Sequence, residues 1–249
     1  MAKKECILIN DIRMLSTMGY NHLKLAKKRK EYAYGNKNHP VRESREEVYK
    51  LTKHLANRMI KAARMDLQVI GRENLPKEGP VLYVANHKSI FDIVVLVSTI
   101  EDPCIFLAKK EVSKMQMVKT WFAALGAIYI DREDKRQAME SIVKGVNELK
   151  SGQSMVVFPE GTRVSGDEIK EFKGGCFKLA TKTGVPIVPI AIHNTYKVFE
   201  EKKGIQSTTV TLNIGKPIEV KDLSKEEQKV LPSTVESIVR QLMQDIINQ

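Results

Sequence analysis

From Asp66 onward the chain alternates short apolar runs of strand length with longer helical patterns, and this constrains the fold more than any other feature. Residues 81–85, 104–108, 127–130, 155–158, 187–192 and 208–214 read as strands, and 90–97, 112–125, 134–149, 177–183 and 230–247 as helices. Several strand runs are apolar on every residue rather than on alternate ones, as expected of strands buried on both faces. The sequence therefore predicts an α/β fold, a mixed, largely parallel sheet flanked by helices.

Residues 1–65 have a different texture. Leu8, Ile12, Leu15 and Met18 recur at helical spacing, with Leu23 and Ala26 roughly continuing that face. The turn cluster Gly35-Asn36-Lys37-Asn38-His39-Pro40 follows, and then a second helical stripe of Val48, Leu51, Leu55, Met59 and Ala62. The expected organisation is a basic, amphipathic two-helix hairpin over 1–65 followed by an α/β domain over 66–249.

Charge is concentrated in that hairpin. Residues 1–65 hold 16 Lys and Arg against 6 Asp and Glu, whereas the remaining residues hold 25 against 24. A packed helical pair with a solvated basic face accounts for this, and so does an interfacial membrane anchor with an apolar face and a cationic rim. Nucleic acid is the weaker reading, because the cations are not interleaved with stacking aromatics or a base-reading motif. No secretory signal is visible: Asp11 and Arg13 break the first apolar residues. The longest uncharged run, 183–196, is too short to span a bilayer and contains Pro186 and Pro189. Cys6, Cys104 and Cys176 are too few and scattered for a disulfide framework or a zinc site, which implies a reducing compartment and no metal.

The stretch Asn86-His87-Lys88-Ser89-Ile90-Phe91-Asp92 lies between the predicted 81–85 strand and the following helix. His87 is thereby placed at the carboxyl end of a strand, where open α/β sheets hold their ligands. Asp92, in the first helical turn, can fold back on the imidazole, fix its tautomer and leave the other ring nitrogen as a base. Ser89 and Asp92 also have the spacing of a capping box, in which the acid only satisfies a helix amide. Phe158-Pro159-Glu160-Gly161-Thr162-Arg163 is a second turn directly after a strand. There Arg163 can grip a phosphate through two parallel hydrogen bonds, or form an ion pair with Glu160 inside the loop. Gly126–Arg132 ends a strand with Asp131 and Arg132, which alone is compatible with a surface ion pair. Lys173-Gly174-Gly175 reads either as an amide nest or as a flexible turn. The absence of a GxxxxGK[ST] loop argues against a P-loop nucleotide site.

Four stretches in order, 86–92, 126–132, 158–163 and 185–190, resemble the motif set of the glycerolipid acyltransferases, most closely the 1-acylglycerol-3-phosphate O-acyltransferases. The resemblance covers roughly residues 66–220. It implies that His87 is the general base and Asp92 its orienting partner. It further implies that Glu160, Gly161, Thr162 and Arg163 help hold the glycerophosphate, and that Lys109 and Arg132 favour the phosphate or the oxyanion. The implied reaction moves a fatty acyl group from a thioester of coenzyme A or acyl-carrier protein to the sn-2 hydroxyl of lysophosphatidate, with no cofactor. Glycerol 3-phosphate or another lysolipid is the alternative acceptor, and a non-catalytic membrane or nucleic-acid adaptor the alternative class. An enzyme with such amphiphilic substrates is expected on an anionic membrane surface, at the cytoplasmic face, as a peripheral or monotopic protein. The chain departs from the family pattern at Val164, where Ser is usual, and at Lys114-Met115-Gln116-Met117, where a Pro-containing turn is common.

Overall fold

The computed structural model describes residues 2–77 and 79–248; the side chains of Ile7 and Leu8, first on the predicted apolar stripe, lie outside what is described. The N-terminal hairpin comprises α1 (Ala2–Lys24), its short continuation α2 (Ala26–Glu31), a turn, and α3 (Val41–Ala63). The rest runs β1 (Asp66–Ile70), β2 (Leu82–Ala85), α4 (Phe91–Thr99), β3 (Cys104–Lys109), α5 (Gln116–Leu125) and β4 (Ile128–Ile130). After these come α6 (Lys135–Lys150), β5 (Ser154–Val157), α7 (Lys178–Thr183), β6 (Ile187–His193), α8 (Tyr196–Phe199), β7 (Thr209–Ile214) and α9 (Lys225–Ile247).

The strands form one seven-stranded sheet in the order β1-β7-β6-β2-β5-β3-β4. Every neighbouring pair is parallel except β6 and β7. The carboxyl ends of β2, β3, β4, β5 and β6 consequently share one edge, and every candidate site residue follows one of these strands.

Both faces of the sheet are covered, which explains the uniformly apolar strands. Along β2, Tyr83 and Ala85 join a core with α3 and α4, while Leu82 and Val84 join a second core with α6, α7 and α9. The hairpin belongs to the first core: Val48, Tyr49 and Ala56 of α3 are buried in one cluster with Val95 and Leu96 of α4. The connection between α2 and α3 is stapled at its far side. There Tyr34 and Arg45 donate to the two oxygens of Glu148 at 2.6 and 2.7 Å. The Tyr34 ring lies against Gly126, which caps α5 at φ 78°, so any side chain at 126 would collide with that ring.

The structure departs from the expected boundaries in three places. The predicted helix over 112–125 is split: a 3₁₀ turn (Lys110–Lys114) ends at an extended Met115 before α5 begins. The closing helix starts earlier than its apolar stripe, because Ser224 and Glu227 form a reciprocal capping box at its N-terminus. β1 carries too little apolar residue to stand out, since it is an edge strand paired on one side only.

Candidate active site

The β2–α4 loop is built around one carboxylate. Asp92, fully buried in the first turn of α4, accepts at Oδ2 from His87 Nδ1 at 2.6 Å and from the backbone amides of Lys88 at 2.6 Å and Ser89 at 2.9 Å. Its Oδ1 accepts from the Thr195 hydroxyl. The catalytic geometry and the amide-satisfying geometry, which the spacing left as alternatives, coexist in one side chain. An ionised acceptor surrounded in this way sets His87 with its proton on Nδ1 and leaves Nε2 as the free base. The imidazole stacks on Phe158 with ring centroids 4.2 Å apart, and its side chain keeps 19% exposure. It is therefore both fixed and reachable.

Ser89 does not cap α4 as its position suggests. Ile90 occupies the cap without a side-chain bond, while the Ser89 oxygen accepts from the Phe91 amide and its hydroxyl donates to Glu200. That oxygen is committed in both directions, which removes it as a nucleophile. The thiols are also unsuited: burial pushes Cys104 up to about 12, and Cys176, although part of that residue reaches solvent, up to about 12.

The β5 loop clamps the β2 loop through its backbone. The His87 amide donates to Glu160 Oε1 at 2.6 Å, and the His87 carbonyl accepts from the Val164 amide at 2.8 Å. Glu160 Oε2 takes the Lys170 amide at 2.8 Å. This carboxyl group is thus buried and occupied by backbone donors, and burial pushes its pKa up. Glu160 pairs with neither Arg163 nor a solvent-facing site; it holds the backbone of His87. Gly161 adopts φ 76°, and a Cβ there would fall 2.4 Å from Arg132 Nη1, so the position admits only glycine without displacement. Arg132 reaches from the end of β4 to donate to the Gly161 carbonyl, and Lys173 Nζ lies beside the same glycine. Thr162 is exposed, and Arg163, half-exposed, donates to Glu200 Oε1 at 3.1 Å. Lys109 ends β3 on the same sheet edge, exposed and paired with Glu111 at 3.2 Å.

Two contributors were not visible in the sequence. Thr195 and Glu200 lie more than a hundred residues from the groups they bond in the β2–α4 stretch, and a strand followed by His-Asn-Thr carries no signal of such pairing. Lys88 is 1% exposed and donates to the Glu168 carbonyl. Its burial lowers its pKa, against the raising influence of Glu160 and Asp92. Asn86, like Lys88, is visible in the sequence only as a member of the 86–92 stretch. Its side chain bonds both the carbonyl and the amide of Ile192, at 2.9 and 2.7 Å, continuing the β2–β6 pairing one step beyond the strand.

An apolar cavity of about 610 Å³ opens next to this loop, between the hairpin, α4 and α5. Ile90, Phe91 and Phe199 line it on the side of the β2–α4 loop, and Met14, Met59 and Trp121 on the side of the hairpin and α5.

A His–Asp pair with a buried carboxylate and a reachable imidazole thus lies with a cationic turn on the carboxyl edge of one sheet, beside an apolar cavity. The acyltransferase family model matches residues 66–193, and the chain belongs to that family. It is similar to the 1-acyl-sn-glycerol-3-phosphate acyltransferase of Borreliella burgdorferi, with 32% identity over 72% of this chain and 73% of that protein. The enzyme of the same name from Saccharomyces cerevisiae is 34% identical over 66% of this chain, which spans only 55% of the yeast protein. Among solved structures, the 1-acyl-sn-glycerophosphate (LPA) acyltransferase PlsC of Thermotoga maritima superposes with a TM-score of 0.75 at 27% identity, covering 96% of this chain and 98% of that one.

Proposed function

We propose that this acyltransferase moves a fatty acyl group from a thioester to the sn-2 hydroxyl of lysophosphatidate, giving phosphatidate. The observation that carries the reading is the His87–Asp92 pair with Nε2 left open, locked by backbone bonds to the turn bearing Arg163. His87 Nε2 takes the hydroxyl proton as the oxygen attacks the thioester carbonyl, and Asp92 stabilises the imidazolium that forms. Collapse of the tetrahedral intermediate breaks the C–S bond, and the proton returns from the imidazolium to the leaving thiolate. No step calls for a metal or a cofactor, and the donor is an acyl thioester of coenzyme A or of acyl-carrier protein. With Ser89, Cys104 and Cys176 unsuited as nucleophiles, direct transfer is the supported route. Arg163 meets the acceptor phosphate, Arg132 and Lys173 add positive charge beside Gly161, and Lys109 lies further along the same edge. The 610 Å³ cavity is within the range of about 300–1,000 Å³ usual for ligand sites, and its apolar walls suit a fatty chain.

The amphiphilic substrates also give the hairpin a task as an interfacial anchor. On α1, Ile12, Leu15 and Leu23 lie on one face and are 57%, 70% and 75% exposed. Flanking that face, Arg13 lines a cavity of about 240 Å³ with Arg58 and Lys61 of α3. Among the described residues none of these three cations is paired with a carboxylate. No helix among the described residues is long and apolar enough to cross a membrane, so the hairpin is proposed to lie in an anionic membrane surface.

Thiol release by the purified chain, with an acyl thioester and a panel of lysophospholipids, glycerol 3-phosphate and water as acceptors, tests the assignment. Lysophosphatidate is expected to be preferred, and His87→Ala to lower turnover by about 100- to 10,000-fold in a folded protein. Wild-type turnover in that variant overturns the base; preference for glycerol 3-phosphate overturns the acceptor.

A further inference from the structure

Glu200, the residue that ends α8, is bonded to both halves of the site. Its Oε1 accepts from the Ile90 amide at 3.0 Å and from Arg163 Nη1 at 3.1 Å, and its Oε2 accepts from the Ser89 hydroxyl at 2.7 Å. Ser89 and Ile90 belong to the loop that carries His87; Arg163 belongs to the turn proposed to meet the phosphate. We propose that Glu200 is a positioning residue that fixes the guanidinium of Arg163 relative to the His87 base, and that it thereby selects acceptors carrying a phosphate. The proposal rests on the acyltransferase reading above.

The geometry supports positioning. Glu200 is itself held at both oxygens by the catalytic loop, so Arg163 is registered to that loop rather than to mobile solvent-side groups. The contact uses one nitrogen of the guanidinium, and the Arg163 side chain is 53% exposed, so further donors remain for two parallel bonds to a phosphate. The support under Glu200 is rigid: Thr195 and Val198 are fully buried, and the Glu200 amide closes the α8 turn on the Tyr196 carbonyl at 2.9 Å. The same six-residue segment, 195–200, thus braces Asp92 through Thr195 and Arg163 through Glu200. It sets the distance between the proton acceptor and the phosphate grip. A half-exposed ion pair contributes little to folding, so stability alone gives no reason for a carboxylate here. The Ile90 amide would be satisfied equally by a neutral acceptor; the Ser89 hydroxyl, which donates to the second oxygen, and the guanidinium distinguish a carboxylate from an amide.

Glu200→Gln keeps an acceptor for Ile90 and removes the charge. It is expected to raise the KM for lysophosphatidate severalfold, with the thioester KM and the pH profile of kcat unchanged and only a small fall in melting temperature from the lost Ser89 acceptor. It should also narrow the preference for lysophosphatidate over monoacylglycerol, which lacks the phosphate. Glu200→Asp, which retains the charge but withdraws it by one methylene, should raise the same KM and serves if the glutamine variant folds poorly. Arg163→Lys combined with Glu200→Gln should be no worse than the more affected single variant, because both changes disable one contact. An unchanged acceptor KM in both Glu200 variants overturns the proposal. A lowered KM also overturns it, by showing Glu200 to be a competitor for the guanidinium, and so does independent multiplication of the two effects. If wild type turns over lysophosphatidate and the Glu200 variants match it, only this inference fails; if wild type does not, the functional reading fails and takes the inference with it.

Discussion

Thr195 illustrates how much of the site depends on groups that never touch substrate. Its hydroxyl is the only described donor to Asp92 Oδ1, while three donors serve Oδ2. Replacing it by valine keeps the shape and leaves one oxygen of a fully buried carboxylate without that bond. Losing a hydrogen bond to a charged group costs about 1–3 kcal/mol, so Thr195→Val is expected to lower stability by that order. It should also lower kcat by about tenfold through looser orientation of the imidazole, with little change in either KM. A variant that melts lower but keeps full kcat would show that Oδ2 alone orients His87. Glu160 acts differently, since that carboxylate holds the His87 backbone rather than its ring.

At the scale of elements, the hairpin's two helices have unequal roles. α3 is part of the core, so removing residues 1–65 would strip Val48, Tyr49 and Ala56 from α4 and confound any binding assay. α1 instead presents Ile12, Leu15 and Leu23 to solvent, where substitution leaves the fold intact. Each such side chain contributes about 1.5–3 kcal/mol if fully immersed. Ile12→Asp and Leu15→Asp are therefore each expected to weaken partition to anionic vesicles by roughly 10- to 100-fold without moving the melting temperature. Salt should weaken the wild type only in part, because the apolar contribution survives screening. Vesicle sedimentation that finds both variants bound like wild type overturns the anchor. The sequence could show this hairpin, because stripes at helical spacing and a turn cluster are local signals, and it showed β2 to β7 for the same reason. It could not show that Arg29, within the basic run Lys27–Lys30, is buried over the Trp121 ring at 4.7 Å. Nor could it show that Arg45 and Lys53 are neutralised by Glu148 and Glu101. The fate of a cation depends on tertiary neighbours, so the charge balance overstates the basic surface. The site was legible to the same degree: His87, Asp92 and Arg163 announced themselves by position after strands. Thr195 and Glu200 are brought in by β6, whose place next to β2 no local pattern encodes.

At the scale of the whole molecule, the response of stability to acid follows from groups shielded from water at both ends of the strands, Glu160 and His193 at the carboxyl ends and Asp102 at the amino ends. Burial pushes Glu160 and Asp102 above their ordinary values. A group whose pKa is raised by folding gives its stabilisation below the unfolded value and loses it as pH rises through the folded one, so acidification through that window favours the fold. His193, at the carboxyl end of β6, has the opposite sign. Burial lowers it from 6.5, with Lys197 and Lys88 acting in the same direction, although Asp167 at 3.1 Å pulls it back up. A depressed histidine contributes stability above its unfolded value and loses it as pH falls through the folded one. The melting temperature is therefore expected to decline as pH falls below 6.5, before the two carboxyl groups begin to offset it. His193→Asn should flatten the decline between pH 7 and the onset of carboxyl titration while leaving the more acidic limb in place. Thermal unfolding of the two proteins across that range decides the matter: parallel curves would remove His193 from the account and shift the acid response to other groups, among them His22 of α1, which burial also lowers.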